Sequence, residues 1–168
     1  IYINALQSAK ADIVVTALWG GDFIAFIKQA ATTRFFETTR LANFDTGANY
    51  DVMMALGDQP YPGLILSARH HNNWPDTGRN KRFVTQFHEM TGRYPTYAAE
   101  GAYTGIMAIA RAIEKAGSAD DDRALIKALE GLQLALPEDP PGFASYIDPD
   151  THQIVQAQAV GTVVHNED

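Results

Sequence analysis

The sequence predicts an α/β fold, a parallel sheet flanked by helices. The stretch Ala11 to Ala30 reads as an apolar strand, a glycine turn and an amphipathic helix. Two more short apolar runs, Arg40 to Phe44 and Leu64 to Ala68, follow with room for a helix between them. Strands that alternate with helical segments in this way build parallel sheets through βαβ units.

The elements follow in order. Ile1 to Lys10 reads as the end of a helix with Ile3, Leu6 and Lys10 on one side. Asp12 to Leu18 is short, apolar and rich in β-branched residues, as a strand covered on both faces would be. Trp19-Gly20-Gly21 ends it, and Asp22 stands where a helix N-cap belongs. Phe23, Phe26 and Ile27 recur at helical spacing to about Thr32 or Thr33. Arg34 to Thr39 is a connector with Phe35 and Phe36 turned inward. Asp45 to Asn49 is a turn, Tyr50 to Leu56 a short helix, and Gly57 its left-handed end. Asp58 to Gly63 is a proline-bearing turn.

The composition shifts at Arg69 to Arg82, a polar stretch that reads as a connection between lobes. Phe83, Phe87 and Met90 mark a helix ended at Gly92, and Tyr94-Pro95 breaks the chain. Thr96 to Ala116 is the longest helical pattern, with Ala99, Tyr103, Ile106, Met107, Ile109, Ala110 and Ile113 on its apolar positions and Gly117 as its end. Ser118 and Asp120 to Asp122 are N-cap candidates for a helix through Leu132, with Leu125, Ile126 and Leu129 inward. Leu136 to Gly142 is a proline-rich loop. Phe143 to Ile147, the turn Asp148 to Thr151 and the run Ile154 to Val164 read as a closing β-hairpin.

Composition narrows the function. The chain has 168 residues, 46% hydrophobic and 20% charged, enough for a core in one domain or two small ones. Its net charge of −7 argues against a nucleic-acid or anionic-membrane partner. With no cysteine there is no disulfide, thiolate metal site or cysteine nucleophile. No apolar run approaches the about 18 residues of a membrane span. The chain opens on Ile1 rather than Met, which reads as processed, excised or incomplete. No P-loop, GxSxG or GxGxxG is present, His88-Glu89 is not HExxH, and the adjacent His70 and His71 point oppositely on an extended chain. His152 lies in the hairpin turn and His165 near the terminus. No cofactor or metal is implied.

Three stretches carry a family resemblance: ADIVVTALWGGDFIAFIKQA, YPTYAAEGAYTGIMAIARAIEKAGS and GFASYIDPDTHQIVQAQAVGTVV. In this order they resemble the carboxyl-terminal portion of type I periplasmic substrate-binding proteins, in the branch serving branched-chain amino acid (Leu/Ile/Val) ABC importers. The resemblance implies a partial periplasmic-binding-protein-like I fold. Residues 1–68 would be the second half of the carboxyl-terminal lobe, 69–142 the helices returning to the amino-terminal lobe, and 143–168 the closing hairpin and last strand. That family's chain is roughly twice as long.

The resemblance also implies site residues. Trp19 matches an aromatic that packs on the ligand, the alternative being a core tryptophan at a strand end. Gly20 and Gly21 would permit close backbone approach, or simply make a tight turn. Asp45 matches the acidic residue that receives the ligand's α-amino group, the alternative being an Asx-turn residue. The family usually has Glu there, so Asp implies a shorter reach and a change of ligand class. Tyr97 and Glu100 lie near an aromatic presented by the other lobe, the alternative being a helix-start aromatic and a solvated glutamate. The function implied is an extracytoplasmic, periplasmic or extracellular, solute receptor of an ABC importer. It would bind an amino acid or similar small carboxylate between its lobes and dock on a membrane permease, with no nucleic-acid partner. Self-association of the isolated chain is expected. The alternatives are the ligand-sensing domain of a regulator with the same fold, or a small α/β enzyme with Asp45 as its candidate base.

Overall fold

The computed structural model describes residues 2–57 and 62–164. In chain order the elements are α1 (Tyr2–Ser8), β1 (Ile13–Thr16), α2 (Gly20–Ala31), α3 (Phe35–Thr38), β2 (Arg40–Asn43), α4 (Tyr50–Leu56), β3 (Ile65–Ala68), α5 (Gly78–Thr91), α6 (Tyr97–Ala116), α7 (Asp122–Leu129), β4 (Tyr146–Ile147), β5 (Ile154–Val155) and β6 (Ala159–Thr162). The chain divides into two compact units. One runs to Arg69 and resumes at Ala159, and the other spans His70–Gln158.

The first unit holds a sheet in the order β1-β2-β3-β6. β1 pairs with β2 and β2 with β3 in parallel, with Thr16 opposite Asn43 and Asn43 opposite Leu66. β6 lies antiparallel to β3, so the sheet is mixed. Burial of Phe23, Ile27 and Ala30 from α2, Phe35 from α3, Leu41 from β2, Val52 and Leu56 from α4, and Leu64 and Leu66 forms one core. Phe26 and Phe36 both meet Phe35 edge-on, at centroid distances of 5.7 and 5.2 Å, the favoured aromatic geometry.

Several expectations are corrected here. β1 is the sheet's edge, not a strand covered on both faces, and Val15 is 62% exposed. Asp22 is not the N-cap of α2. The helix starts at Gly20 and is capped by the extended Trp19, which leaves Asp22 in the first turn. The connector before β2 contains the single turn α3. Ile3 and Leu6 pack on the core, whereas Lys10 lies beyond α1 and exposed. Gly57 has φ 61° but ψ −140°, outside the left-handed helical region. Residues 58–61 of the proline-bearing turn, and His165, lie outside the described residues.

In the second unit α5 begins inside the polar stretch read as a connection. Thr77 Oγ1 caps it by accepting from the Asn80 N–H at 3.2 Å. Met90 is exposed rather than inward. Gly92 and Gly117 close α5 and α6 in the left-handed conformation. α6 has its expected length but not its expected face. The buried stripe is Glu100, Thr104, Ala108 and Ala112, while Ile106 and Ile109 are 68% and 54% exposed. α6 packs against α7, and its buried stripe is the one that carries small side chains. α7 is capped by Asp121 and ends at Leu129, with Ala128 buried and Ile126 exposed. The expected hairpin strand Ile154 to Val164 divides: β5 pairs with β4, and β6 joins the first unit's sheet. Buried Asp139 ties the loop before β4, accepting from the N–H of Leu136 and of Ser145 and from the Ser145 hydroxyl.

Candidate functional site

The carboxyl ends of β1, β2 and β3 lie side by side, where open α/β sheets bind ligands. Beyond the aligned residues Thr16, Asn43 and Leu66 come Trp19, Asp45 and Arg69. Trp19 is 61% exposed, which removes the core-tryptophan alternative. Gly20, at φ 52°, turns the extended chain into α2, a conformation that favours glycine. Neither Gly20 nor Gly21 has a neighbour within 4 Å of where a Cβ would sit, so the surface beside Trp19 is open backbone.

Asn43 organises this edge. Its Nδ2 donates to the Leu18 carbonyl at 2.6 Å, which fixes the residue before Trp19. Its Oδ1 accepts from the N–H groups of Asp45, Thr46 and Gly47 at 3.2, 3.2 and 2.9 Å. A Cβ on Gly47 would lie 2.9 Å from Asn43, so only glycine allows the loop to close over that carboxamide. The Ser67 hydroxyl lies 3.4 and 3.3 Å from the carbonyls of Asn43 and Asp45. The turn that carries Asp45 is therefore made by Asn43, and the Asp45 side chain points away to meet Arg69. Arg69 Nη2 lies 2.9 Å from Asp45 Oδ1, with the two side chains 51% and 30% exposed.

Tyr97 and Glu100 belong to the second unit. Tyr97 is half-buried at the start of α6. Glu100 is not a solvated residue. It is 1% exposed and accepts from the Thr104 hydroxyl. It also meets Glu138, equally buried. Gln156 Nε2 donates to Glu138 Oε1 at 2.6 Å, and Oε2 meets no donor. Two carboxylates cannot bond without a proton between them. Burial, then the hydrogen bond and charge of Glu100, push Glu138 up to about 8, so the pair holds one proton at neutral pH. His70 is buried with Nε2 2.9 Å from Asn80 Oδ1, and burial lowers its pKa, which keeps it neutral. Burial likewise lowers His71. Among the described residues no group of three or more His, Asp or Glu could hold a metal, and no helix is long and apolar enough to cross a membrane.

The sequence model of a family described as periplasmic binding protein matches residues 2–168. The chain belongs to that family. No curated protein matches it. The fold is also that of solved solute-binding proteins of ABC transporters. One from Rhodopseudomonas palustris BisB5, in complex with 3,4-dihydroxybenzoic acid, is 25% identical with a TM-score of 0.79 over 99% of this chain and 44% of that one. An amino acid ABC transporter substrate-binding protein from Pseudomonas fluorescens Pf-5 is 24% identical, with a TM-score of 0.80 over 95% of this chain and 41% of that one. One from Rhodopseudomonas palustris HaA2, in complex with p-hydroxybenzoic acid, is 21% identical, with a TM-score of 0.83 over 99% of this chain and 45% of that one. The chain thus spans less than half the length of these structures. All three are binding proteins, not enzymes.

In this periplasmic binding protein, sequence reasoning named Trp19, Gly20, Gly21 and Asp45 on the strand ends but missed Asn43, Ser67 and Arg69. Asn43 and Ser67 sit inside short apolar strands, where a polar residue has to be satisfied by something nearby. That was an available signal. Arg69 was assigned to the following connection, although it comes directly after β3 and meets the same strand-end rule as Trp19 and Asp45.

Proposed function

We propose that the chain is part of the solute receptor of an ABC importer, working outside the cytoplasmic membrane and delivering a small carboxylate to a membrane permease. The observation that carries this reading is the exposed strand-end edge of the first unit, with Trp19, the open Gly20-Gly21 backbone and Asp45 on adjacent parallel strands. The benzoate-type ligand of the 25% identical structure supports an aromatic acid as the cargo. Trp19 supplies a broad apolar face for a ring, and the polar groups of the second and third strand ends orient its substituents. The first unit serves as the carboxyl-terminal lobe. The second contributes helices to the other lobe, α6 among them. Glu100 supports α6 from inside rather than touching ligand. Ligand bridging both lobes stabilises a closed state, and that state is what a permease recognises. In isolation the chain self-associates through the apolar groove beside β1, of about 550 Å³, lined by residues that include Tyr2, Leu6, Val15 and Leu18.

The test is a thermal-shift and titration screen of the full-length gene product against small aromatic acids and apolar amino acids. At least one raises the melting temperature and saturates, and Trp19→Ala weakens it about tenfold or more. A screen without a binder, or a binder indifferent to Trp19→Ala, contradicts the reading.

A further inference from the structure

We propose that the cleft between the start of α5 and the loop 139–143 binds a tetrahedral oxyanion of the phosphate class, held by Arg79 and Arg82. The cleft has a volume of about 450 Å³ and lies within the second unit. Thr77, Gly78, Arg79 and Arg82 form one wall, and the loop from Asp139 to Phe143 forms the other. None of these residues belongs to the strand ends of the first unit.

Arg82 is the available cation. Among the described residues it makes no hydrogen bond and no ion pair. A Cβ on Gly78 would lie 3.6 Å from Arg82 Nη1, so the guanidinium folds back over the first turn of its own helix. A cation is poorly placed there. The helix dipole makes that end positive, and α5 has no acidic residue in its first turn to offset it. Arg79 stands three residues earlier on the same helix and adds a second guanidinium. It gives one N–H to the Leu136 carbonyl at 3.4 Å and keeps its other donors. The acids nearby leave these charges unbalanced. Asp76 is paired with Lys81. Asp139 lines the cleft but is 2% exposed, and its oxygens accept from the N–H of Leu136 and of Ser145 and from the Ser145 hydroxyl. Glu138 is turned to Glu100 and Gln156. Two guanidiniums thus share a cleft with one buried carboxylate, and the cleft is left positive in a chain of net charge −7.

Two guanidinium forks on one helix turn offer more N–H groups than the two oxygens of a carboxylate accept. The oxygens of phosphate or sulfate take them in pairs, through charge-assisted bonds. The net charge opposes an anionic bilayer as the source of the phosphate, whereas a small free anion enters the recess.

In the test, the full-length gene product is titrated with inorganic phosphate, sulfate and acetate at constant ionic strength, by calorimetry and thermal shift. Phosphate and sulfate saturate with a dissociation constant of about 1 mM or below, about tenfold or more tighter than acetate. Arg82→Gln weakens phosphate about tenfold, and adding Arg79→Gln removes saturation. Arg34→Gln, which removes an exposed arginine paired with Glu37 in the first unit, leaves it unchanged. In phosphate-free buffer Arg82→Gln melts at or above the wild-type temperature, because it takes a cation from the positive end of α5, so its loss of binding is not a loss of fold. Phosphate binding unmoved by Arg82→Gln, an equal loss with Arg34→Gln, or no saturation below about 10 mM overturns the proposal. Capture by phosphatidylglycerol vesicles without a response to free phosphate also overturns it.

Discussion

The carboxamide of Asn43 holds two strand ends at once, through the Leu18 carbonyl on one side and three successive N–H groups on the other. The residue is 2% exposed, so water cannot replace those bonds when they are lost. Asn43→Ala is expected to cost about 2 to 3 kcal/mol in urea unfolding and to weaken ligand binding without touching ligand itself. Gly47→Ala acts on the same contact from the other side, because its Cβ would sit 2.9 Å from Asn43. It is expected to cost about 1 to 3 kcal/mol, as overpacked sites do. Wild-type midpoints in both variants would show that the loop is held by something else. Asp45 illustrates what a sequence conceals at this scale. Asp-Thr-Gly is a plausible Asx turn by itself, yet the turn is made by Asn43 and Asp45 reaches Arg69, a residue distant in sequence.

At the scale of elements, periodicity and turn chemistry located most helices and strands closely. α4 spans the expected residues, and α5 and α6 end at the expected glycines. Faces were harder to read than lengths. On α6 the large residues suggested one apolar stripe, and the packed stripe is the smaller one through Ala108 and Ala112. Hydrophobicity alone does not report that a close helix approach needs small side chains. The two assignments separate in unfolding measurements on the 168-residue chain. Ala112→Leu is expected to cost about 1 to 3 kcal/mol, and Ile109→Ala to stay within about 0.5 kcal/mol. The opposite order would restore the stripe read from sequence. β1 was misread for a related reason. An apolar β-branched run is the usual mark of a strand covered on both faces, and here that strand is the sheet's edge with Val15 exposed.

At the scale of the whole molecule, the stability of the second unit depends on pH. Glu138 rises from 4.5 to about 8 in the folded second unit. Between those values the folded unit keeps a proton that the unfolded chain releases, so its stability falls as pH rises through the window. Charges facing the pair do not reverse this: Gln156 and Thr104 are neutral, and buried His70 is held neutral. Amide exchange in α6 reports this unit by itself, and its protection is expected to drop from about pH 5 to about pH 9. Glu138→Gln, which mimics the protonated acid, should flatten that slope, and an unchanged slope would place the proton elsewhere. Self-association belongs to the same scale. Sedimentation of the 168-residue chain should show concentration-dependent association that Val15→Lys reduces. A monomer at all concentrations would contradict it.

The central claim is that the edge formed by Trp19, Asp45 and Arg69 holds a small carboxylate. A crystal structure of the full-length gene product with the best ligand from the titrations tests it most directly. The predicted result is a ring against the Trp19 face with its polar substituents within hydrogen-bonding distance of the ends of β2 and β3. A ligand bound with full occupancy away from all three strand ends would contradict the account.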